Sequence, residues 1–226
     1  MNNDLARKTI QGFVKLIVWL GLFMFLPAGT INFWQGWVFV LAFAGLSIWI
    51  TAYLWKKDPN LLERRVNAGP RAEKEKSQKL IQTLTSLIFV GMMVVGGLDH
   101  RFGWSHVPTS VVVAGDVLIA VGFYIVFLVF RENTYAAATI QVAENQTVIS
   151  TGPYAVVRHP MYSGALVLLA GMPLALGSWW GLILAGLMIA LIVVRLLYEE
   201  TFLVANLPGY DEYRRKVRYR LIPFAW

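Results

Sequence analysis

The sequence contains no cysteine, and only 15% of its 226 residues are charged. The missing thiols exclude disulfide bonds, a thiolate nucleophile, and metal or iron–sulfur sites held by cysteine. The scarcity of charge is equally informative, because 57% of the residues are apolar and the mean hydropathy is +0.57. A soluble domain of this length needs more polar surface. The composition therefore predicts an integral membrane protein.

Acidic residues and histidines are also few. Thirteen Asp and Glu accompany twenty Lys and Arg, which gives a formal net charge of +7, and there are three histidines. The basic residues flank apolar runs and form no basic surface with interleaved aromatic residues, so we expect contact with anionic lipid and no nucleic acid partner. The loop 99–106 contains both His and Asp, but their spacing fits no metal site, and none is predicted.

Charge is absent altogether from the 34 residues between Met161 and Val194. A membrane-spanning helix needs about 20 residues, so this stretch is nearly long enough for two. The glycine-containing segment 177–181, just after Pro173, is the natural bend. We therefore predict a C-terminal helical hairpin that brings the polar residues on either side of the stretch to the same membrane face.

Four further apolar stretches precede the hairpin, at residues 13–26, 33–55, 80–98 and 107–130. With the hairpin they make six crossings, or five if its short first arm is only partly inserted. The prediction is an all-α integral membrane protein with five or six transmembrane helices. Asp116 is the one charge inside the fourth stretch, and a hydrogen bond between helices or a role in substrate access would explain it equally well.

Lys and Arg are distributed unevenly between the predicted loops. With the N-terminus inside the cell, all twenty except Arg101 lie on the cytoplasmic side. Positive charge marks cytoplasmic loops, so both termini and both polar ends of the hairpin are predicted to be cytoplasmic. The segment 56–79 mixes apolar residues with Lys, Arg and Glu, which indicates an interfacial amphipathic helix followed by a charged turn around Gly69 and Pro70.

These elements divide the chain at about residue 131. Residues 1–131 hold four transmembrane helices and the interfacial segment 56–79, whereas residues 132–226 hold a polar loop, the hairpin and a C-terminal interfacial helix. Within the loop, residues 139–142 and 147–150 show short β-like patterns. The alternation of apolar and basic residues from Tyr198 to Arg220 predicts the C-terminal helix, which either closes over the loop or is a plain solvated helix.

Two polar clusters adjoin the hairpin. In the first, His159 is biased toward extended backbone by Pro160, which is suited to begin a helix, so the first amides of that helix attract carboxylate or phosphate. In the second, Arg195 and Glu199 are four residues apart and share a helix face. A guanidinium clamps a carboxylate or phosphate, and a carboxylate binds hydroxyls or an ammonium. The pattern indicates a binding pocket at the membrane edge.

Each of these residues also has a purely structural explanation. Arg158 and Arg195 are equally suited to reach lipid phosphates as interfacial anchors, and Arg195 with Glu199 could be a simple helix pair. His159 alone is typical of a hydrogen-bonded loop residue. The tyrosines typical of an aromatic belt at the membrane edge are Tyr154, Tyr162, Tyr210 and Tyr213. The combination, in order and on one face, favours a cofactor site.

The clusters form an ordered series of motifs. It runs from Gly152-Pro153-Tyr154 through Arg158-His159-Pro160-x-Tyr162-x-Gly164 and Arg195-x-x-x-Glu199-Glu200 to Gly209-Tyr210-x-x-Tyr213, Arg218 and Pro223. In this series the chain resembles the isoprenylcysteine carboxyl methyltransferase family of membrane methyltransferases, to which phospholipid methyltransferases and some small-thiol methyltransferases are related. The resemblance covers about residues 141–223, and the first 130 residues match only as hydrophobic spans.

The resemblance implies S-adenosylmethionine as cofactor, released as S-adenosylhomocysteine, in a cytoplasmic pocket between the loop and the hairpin. The residues that it implies for the cofactor site are Gln141, Gln146, Thr147, Val148, Ile149, Tyr154, His159, Pro160, Met161, Tyr162 and Glu199. Arg195 matches the position that holds the acceptor's carboxylate, and Arg158 either contacts the acceptor or fixes the loop. Arg158, Arg195 and Glu199 are therefore the catalytic candidates.

Methyl transfer suits such a site. The sulfonium already activates the methyl group, so alignment and exclusion of water are the main tasks of the protein. A carboxylate acceptor such as prenylcysteine is ionised at pH 7 and needs no base, whereas an amine acceptor such as a lipid headgroup must lose a proton, for which His159 and Glu199 are candidates. The expected partner is a lipid or lipophilic small molecule that reaches the pocket from the bilayer.

Two other functions fit the same features. Membrane reductases of steroids and enones have a partly similar C-terminal helical layout and bind NADPH, although no glycine-rich phosphate fingerprint is present here. A non-enzymatic membrane scaffold or small transporter is the other alternative. The few polar residues inside the spans argue against a hydrophilic transport path.

Overall fold

The computed structural model describes residues 3–66, 69–73 and 75–226, and within them all regular structure is helical. Short 3-10 turns lie at Pro70–Ala72 and Gly152–Ala155. The α-helices of the described chain are α1 (Asn3–Ala28), α2 (Trp34–Lys57), α3 (Pro59–Val66), α4 (Lys76–Phe102), α5 (Thr109–Glu132), α6 (Pro160–Ala175), α7 (Gly181–Asn206) and α8 (Tyr210–Lys216). Five of these helices, α1, α2, α4, α5 and α7, are long and apolar enough to cross a membrane. The predicted all-α membrane fold is confirmed.

Helices α6 and α7 form the predicted hairpin. The 16 residues of α6 reach about 24 Å, which is less than the hydrocarbon core of a bilayer, whereas the 26 residues of α7 exceed it. Pro160 begins α6, where its lack of an N–H leaves no helical hydrogen bond unmade, and Gly177 turns the chain at φ +71°. The turn is tied to the end of α4, because the buried Asp99 carboxylate accepts hydrogen bonds from the Ser105 and Ser178 hydroxyls.

Helices α5 and α6 pack backbone to backbone and share the most extensive contact between two helices. Each contributes two glycines spaced seven residues apart, Gly115 and Gly122 on α5 and Gly164 and Gly171 on α6. A Cβ atom at Gly122 would lie 2.6 Å from the Gly164 carbonyl oxygen, and one at Gly171 would lie 2.7 Å from that of Gly115. This glycine seam holds the start of α6 firmly against α5 and thereby positions the loop between them.

The predicted β-like segments are wrong. Residues 139–142 and 147–150 form no strand and belong to an irregular loop that connects α5 to α6. In part of this loop a side chain accepts a backbone hydrogen bond that a neighbouring strand would otherwise accept. Gln146 Oε1 accepts it from the Ala143 amide at 2.9 Å. Asn145 between them adopts φ +57°, a left-handed conformation that interrupts extended backbone. The apolar alternation therefore reflects side chains that face a cavity and not a sheet.

The helix and the following turn predicted within the segment 56–79 are both present, whereas the helix predicted at the C-terminus is divided. Within the segment 56–79, α3 occupies only Pro59–Val66 and α4 already begins at Lys76, while residues 67, 68 and 74 lie outside the described part. At the C-terminus α7 continues to Asn206, and Gly209 at φ +83° turns the chain into α8. A glycine interrupts the helix where the periodic pattern predicted continuity.

The short helix α3, the loop 133–159 and the C-terminal tail meet at one end of the helix bundle. Arg64 of α3 donates a hydrogen bond to the Thr134 carbonyl at 2.7 Å. At the other end of the loop, Arg158 donates to the Val217 carbonyl at 2.9 Å. The hairpin thus brings its two polar flanks together as predicted, and the candidate site lies between them.

Candidate functional site

A cavity of about 440 Å³ lies where the loop 133–159 meets α3, α6, α7 and α8. Its volume is within the range of cofactor and small-molecule pockets. The site residues predicted from the sequence all line it: Gln141, Gln146, Thr147, Val148, Ile149, Tyr154, Arg158, His159, Pro160, Met161, Tyr162, Arg195 and Glu199. Tyr210 and Tyr213 of α8 also line it, so α8 does close over the loop. The structure brings the predicted residues together, while the role of each remains a prediction.

The start of α6 is fixed by the C-terminal tail. The Arg158 amide donates a hydrogen bond to the Tyr219 carbonyl at 2.9 Å, and the His159 amide donates to the Arg220 carbonyl at 3.0 Å. His159 is not helical, which agrees with the following proline, but at φ −125° and ψ 61° it falls short of the extended backbone predicted, and α6 begins at Pro160. The tail therefore holds the two residues before α6 in place, and with them the orientation of its first turn toward the cavity.

The buried Glu200 carboxylate binds two arginines at the edge of the cavity. Its Oε1 accepts a hydrogen bond from Arg158 Nε at 2.6 Å, and its Oε2 accepts one from Arg220 Nε at 2.8 Å. Arg158 Nη1 also donates to the carbonyls of Val217 and Arg218, at 2.9 and 3.0 Å. Since these partners belong to the protein itself, the geometry favours the loop-fixing role of Arg158 over contact with an acceptor.

The His159 ring lies beside the same carboxylate. Its Nε2 is 3.4 Å from Glu200 Oε1 and makes no hydrogen bond of good geometry within the described residues. The ring centroid is 5.9 Å from that of Tyr162. His159 therefore joins the Glu200 cluster to the first turn of α6.

Glu199 presents a carboxylate to the cavity from α7. The Tyr162 hydroxyl donates a hydrogen bond to its Oε2 at 2.5 Å. No Lys or Arg nitrogen of the described residues lies within 4 Å of this carboxylate, so the simple helix pair with Arg195 is not formed. A neutral donor orients Glu199, and its negative charge is left for a ligand.

Arg195 turns away from Glu199 toward the start of α4. Its Nη2 donates to Glu73 Oε1 at 2.6 Å and its Nη1 to Gln78 Oε1 at 3.0 Å. Glu73 and Gln78 are both buried, and Gln82 Nε2 lies 3.3 Å from the same Glu73 oxygen. The charge of Arg195 is therefore balanced inside the protein, which the sequence did not predict.

Tyr154 lies in the 3-10 turn Gly152–Ala155, with its hydroxyl in contact with the end of α5. The hydroxyl accepts a hydrogen bond from Asn133 Nδ2 at 2.8 Å, and the Tyr154 carbonyl accepts one from the Tyr213 hydroxyl at 2.7 Å. Burial raises the pKa of Tyr154 to about 12, so the phenol keeps its proton at neutral pH. That proton has no acceptor in the described part of the chain, which makes Tyr154 a hydrogen-bond donor available to a ligand.

Sequence reasoning missed several polar residues of the cavity: Arg65, Gln82, Asn133 and Tyr135. Arg65 lies within the segment 56–79, where charged residues are typical of ordinary surface, and Gln82 lies at the start of the apolar stretch 80–98. Asn133 directly follows the fourth apolar stretch, and that position was a usable signal. A polar residue at the end of a span that leads into a ligand-binding loop is well placed to face the ligand.

Asp116 does not belong to this site. It lies on α5 and does not line the cavity. Its Oδ1 is buried and has no hydrogen-bond partner among residues 3–66, 69–73 and 75–226. The geometry therefore supports neither a hydrogen bond between helices nor a role in substrate access for Asp116.

Comparison with known proteins assigns the part of the chain that contains this cavity. Residues 110–208, from α5 to the end of α7, match the family model described as phospholipid methyltransferase. No curated protein matches the chain. The matched range contains the glycine seam, the loop and the hairpin, and thus every residue predicted for the site. The resemblance of this half of the chain to membrane methyltransferases is confirmed.

Proposed function

Because residues 110–208 are related to the phospholipid methyltransferases, we propose that the protein is an S-adenosylmethionine-dependent methyltransferase with a lipophilic acceptor. The acceptor is a lipid headgroup amine or a carboxylate such as that of prenylcysteine. The reaction takes place at the cytoplasmic face of the membrane, where the N- and C-termini also lie.

One observation carries the proposal. The start of α6 at Pro160 and the carboxylate of Glu199, distant in sequence, line a single cavity of about 440 Å³ within the matched range. The Tyr162 hydroxyl joins the two helices by its 2.5 Å hydrogen bond to Glu199. Had the hairpin not folded back, these groups would lie at opposite ends of the bundle and could not share one ligand.

The polar groups of the cavity fit a ligand with separated positive and negative charges. Glu199 is free of Lys and Arg partners in the described chain and suits a cation or ribose hydroxyls. The amides of Met161 and Tyr162, in the first turn of α6, have no acceptor within the helix and suit a carboxylate. Tyr154 adds a hydroxyl donor. S-adenosylmethionine carries a cationic group, ribose hydroxyls and a carboxylate. When bound, it supplies an activated methyl group.

The chain's own contribution is alignment and exclusion of water. The Glu200 cluster fixes the loop, and Tyr210 and Tyr213 cover it, so acceptor and methyl donor are held together away from solvent. With an amine acceptor, Glu199 is better placed than His159 to take the proton, because Glu199 faces the cavity whereas the His159 ring lies against Glu200. With a carboxylate acceptor neither residue is needed as a base.

Ligand-dependent thermal unfolding of the detergent-solubilised protein tests the proposal. S-adenosylhomocysteine should raise the melting temperature, since a ligand at 100 times its Kd stabilises the folded state by about 2.7 kcal/mol, and NADPH should not. Glu199→Gln should reduce the S-adenosylhomocysteine shift. Glu212→Gln, on an exposed position of α8, is the matched control and should leave the shift unchanged.

Each alternative function gives a different result in the same measurement. A shift with NADPH alone would establish the reductase, and no shift with either nucleotide would establish a non-enzymatic scaffold. If the cofactor shift is present, incubation with labelled S-adenosylmethionine and a panel of phosphatidylethanolamine, prenylcysteine and a small thiol identifies the acceptor by the labelled product.

A further inference from the structure

We infer that Arg65 recognises the acceptor by binding a carboxylate or phosphate group that the acceptor carries beside its apolar chain. The inference rests on the proposed function and extends it, because it assigns a substrate-binding residue outside the matched range 110–208. It also assigns acceptor recognition to Arg65 and not to Arg195, which the family resemblance implied.

Arg65 lies on α3 with its guanidinium at the wall of the main cavity. Its Nη1 donates a hydrogen bond to the Ala137 carbonyl at 3.1 Å and is 3.7 Å from Met161 Sδ. The guanidinium lies over the Phe130 ring, 5.0 Å from the ring centroid. These contacts hold the side chain in place without neutralising it. Burial lowers the pKa of Arg65 to about 10, so it remains charged at neutral pH.

The other two arginines that line the cavity have carboxylate partners, whereas Arg65 has none among the described residues. Arg195 is paired with Glu73 and Arg158 with Glu200, each at 2.6 Å. No carboxylate oxygen of the described residues lies within 4 Å of Arg65. A partly buried cation without a counter-ion is unfavourable unless a ligand supplies the negative charge. The charge balance therefore indicates that Arg65 binds the anionic group of the acceptor, while Glu199 binds the positively charged part of the cofactor.

A second, smaller cavity indicates which ligand supplies that anion. It has a volume of about 280 Å³ and lies between α1, α2 and α3. Phe13, Leu62 and Val66 form apolar walls, and Lys8, Thr9 and Thr51 also line it. Arg65 lines this cavity as well as the main one. The buried Thr9 hydroxyl, also in its lining, has no hydrogen-bond partner in the described chain.

Arg65 thus lies where the main cavity, which contains the polar site residues, meets the second cavity between the membrane helices. A cofactor from water would occupy the main cavity alone. A lipophilic acceptor fits both, with its chain in the second cavity beside Phe13 and Leu62, its anionic group on Arg65, and its reacting atom in the main cavity. The free Thr9 hydroxyl is available to a polar group such as an ester on the same molecule.

The test is a comparison of probe binding by calorimetry in neutral detergent, with and without S-adenosylhomocysteine. The probes are dihexanoylphosphatidic acid, decanoate and the uncharged dihexanoylglycerol. The wild-type protein should bind the phosphate or the carboxylate probe about tenfold or more tightly than the uncharged one, because a hydrogen-bonded ion pair is formed. Arg65→Gln should abolish this preference, and Arg65→Lys, which keeps the charge without the planar fork, should retain part of it.

Arg64→Gln is the matched control. Arg64 is the neighbouring residue on α3, donates to the Thr134 carbonyl at 2.7 Å and lies over the Tyr135 ring, yet it lines neither cavity. This variant should keep the wild-type preference. Unchanged S-adenosylhomocysteine affinity in Arg65→Gln shows that the variant is folded and that the cofactor does not use Arg65.

Three results would overturn the inference. The first is a preference for anionic probes that survives in both Arg65→Gln and Arg65→Lys. The second is a wild-type protein that binds no anionic probe more tightly than dihexanoylglycerol. The third is loss of S-adenosylhomocysteine affinity in Arg65→Gln with the probe preference intact. The last result would place the cofactor's carboxylate on Arg65. Failure of the proposed methyltransferase function is seen separately, as absence of S-adenosylhomocysteine binding by the wild-type protein.

Discussion

Buried charges around the cavity are held in pairs whose members come from distant parts of the chain. Arg195 of α7 binds Glu73, 122 residues earlier, and Arg158 binds Glu200, 42 residues later. Removing one member of such a pair leaves an uncompensated buried charge, which costs more than the pair itself contributes. The pairs therefore determine which non-helical segments lie against α7 more than they determine overall stability.

A double-mutant cycle on Glu73 and Arg195 measures this effect. We expect Glu73→Gln alone to destabilise the protein by about 3–5 kcal/mol, because Arg195 then has no carboxylate within 4 Å among the described residues and keeps neutral partners such as Gln78 and the Ala138 carbonyl. Arg195→Gln combined with Glu73→Gln should destabilise it by less than the sum of the two single changes. Melting temperatures in one detergent give the comparison, and additive effects would show that the two residues are not coupled.

The hydrogen bond from Tyr162 to Glu199 predicts a second effect at the residue scale. Tyr162→Phe removes the one donor that orients the Glu199 carboxylate, a charge-assisted bond worth about 1.5–3 kcal/mol. We expect S-adenosylhomocysteine affinity to fall about tenfold or more, as measured by calorimetry. Tyr124→Phe, on the exposed face of α5, should have no effect. Equal affinities for wild-type and Tyr162→Phe protein would contradict the assigned role.

The sequence predicted which residues line the cavity and missed the partners of its charged groups. Arg158, Arg195 and Glu199 could be found because they occur in local motifs with fixed spacing. Glu73 and Arg65 could not, because their importance comes from contacts with residues far along the chain. In a charged segment such as 56–79, no local pattern distinguishes an acid that will be buried from one on the surface.

At the scale of elements, hydrophobic runs located the helices but not their ends. Helix α1 begins at Asn3 and not at residue 13, since charged residues such as Asp4 and Lys8, an i,i+4 ion pair, extend a helix beyond its apolar part. Helix α7 likewise continues to Asn206, well past Glu199. Because the polar extensions of α7 carry the site residues, this extra helix is what gives Glu199 a fixed position.

The glycine seam between α5 and α6 predicts a sharp contrast between two glycine substitutions. Gly122→Ala places a Cβ 2.6 Å from the Gly164 carbonyl oxygen and should destabilise the protein by about 1–3 kcal/mol or more. Gly186→Ala, in α7 where no atom lies within 4 Å of the new Cβ, should be neutral or stabilise by about 0.5–1 kcal/mol. Thermal unfolding of both variants checks this, and equal destabilisation would exclude close packing as the cause.

For the whole molecule, the C-terminal tail completes a site that the hairpin begins. The tail supplies the carbonyls that bind Arg158 and the side chain of Arg220 that binds Glu200. Ser163 of α6 adds a hydrogen bond to the Leu221 carbonyl at 2.6 Å. The division of the chain into residues 1–131 and 132–226 remains a prediction, but the tail, the loop and α6 act as one unit.

Deleting residues 217–226 should weaken this unit. We expect S-adenosylhomocysteine affinity to fall about tenfold or more, because Arg158 loses the Val217 and Arg218 carbonyls and the segment 158–163 loses its acceptors at residues 219–221. Hydrogen exchange of residues 152–163 should become faster. Deleting only residues 223–226 keeps those carbonyls and should have a smaller effect. Unchanged exchange after the longer deletion would refute the role of the tail.

The dependence of Arg158 on carbonyls sixty residues downstream has a consequence during biosynthesis. While the nascent polypeptide is being inserted, α5 and α6 can already associate through their glycines, but Arg158 and His159 lack their carbonyl acceptors in the tail until residues 217–221 have been synthesised. A partly translated chain is thus a bundle without a finished pocket. The proposed cofactor, which needs an ordered loop, should therefore bind a nascent chain only after the segment 217–221 has been synthesised.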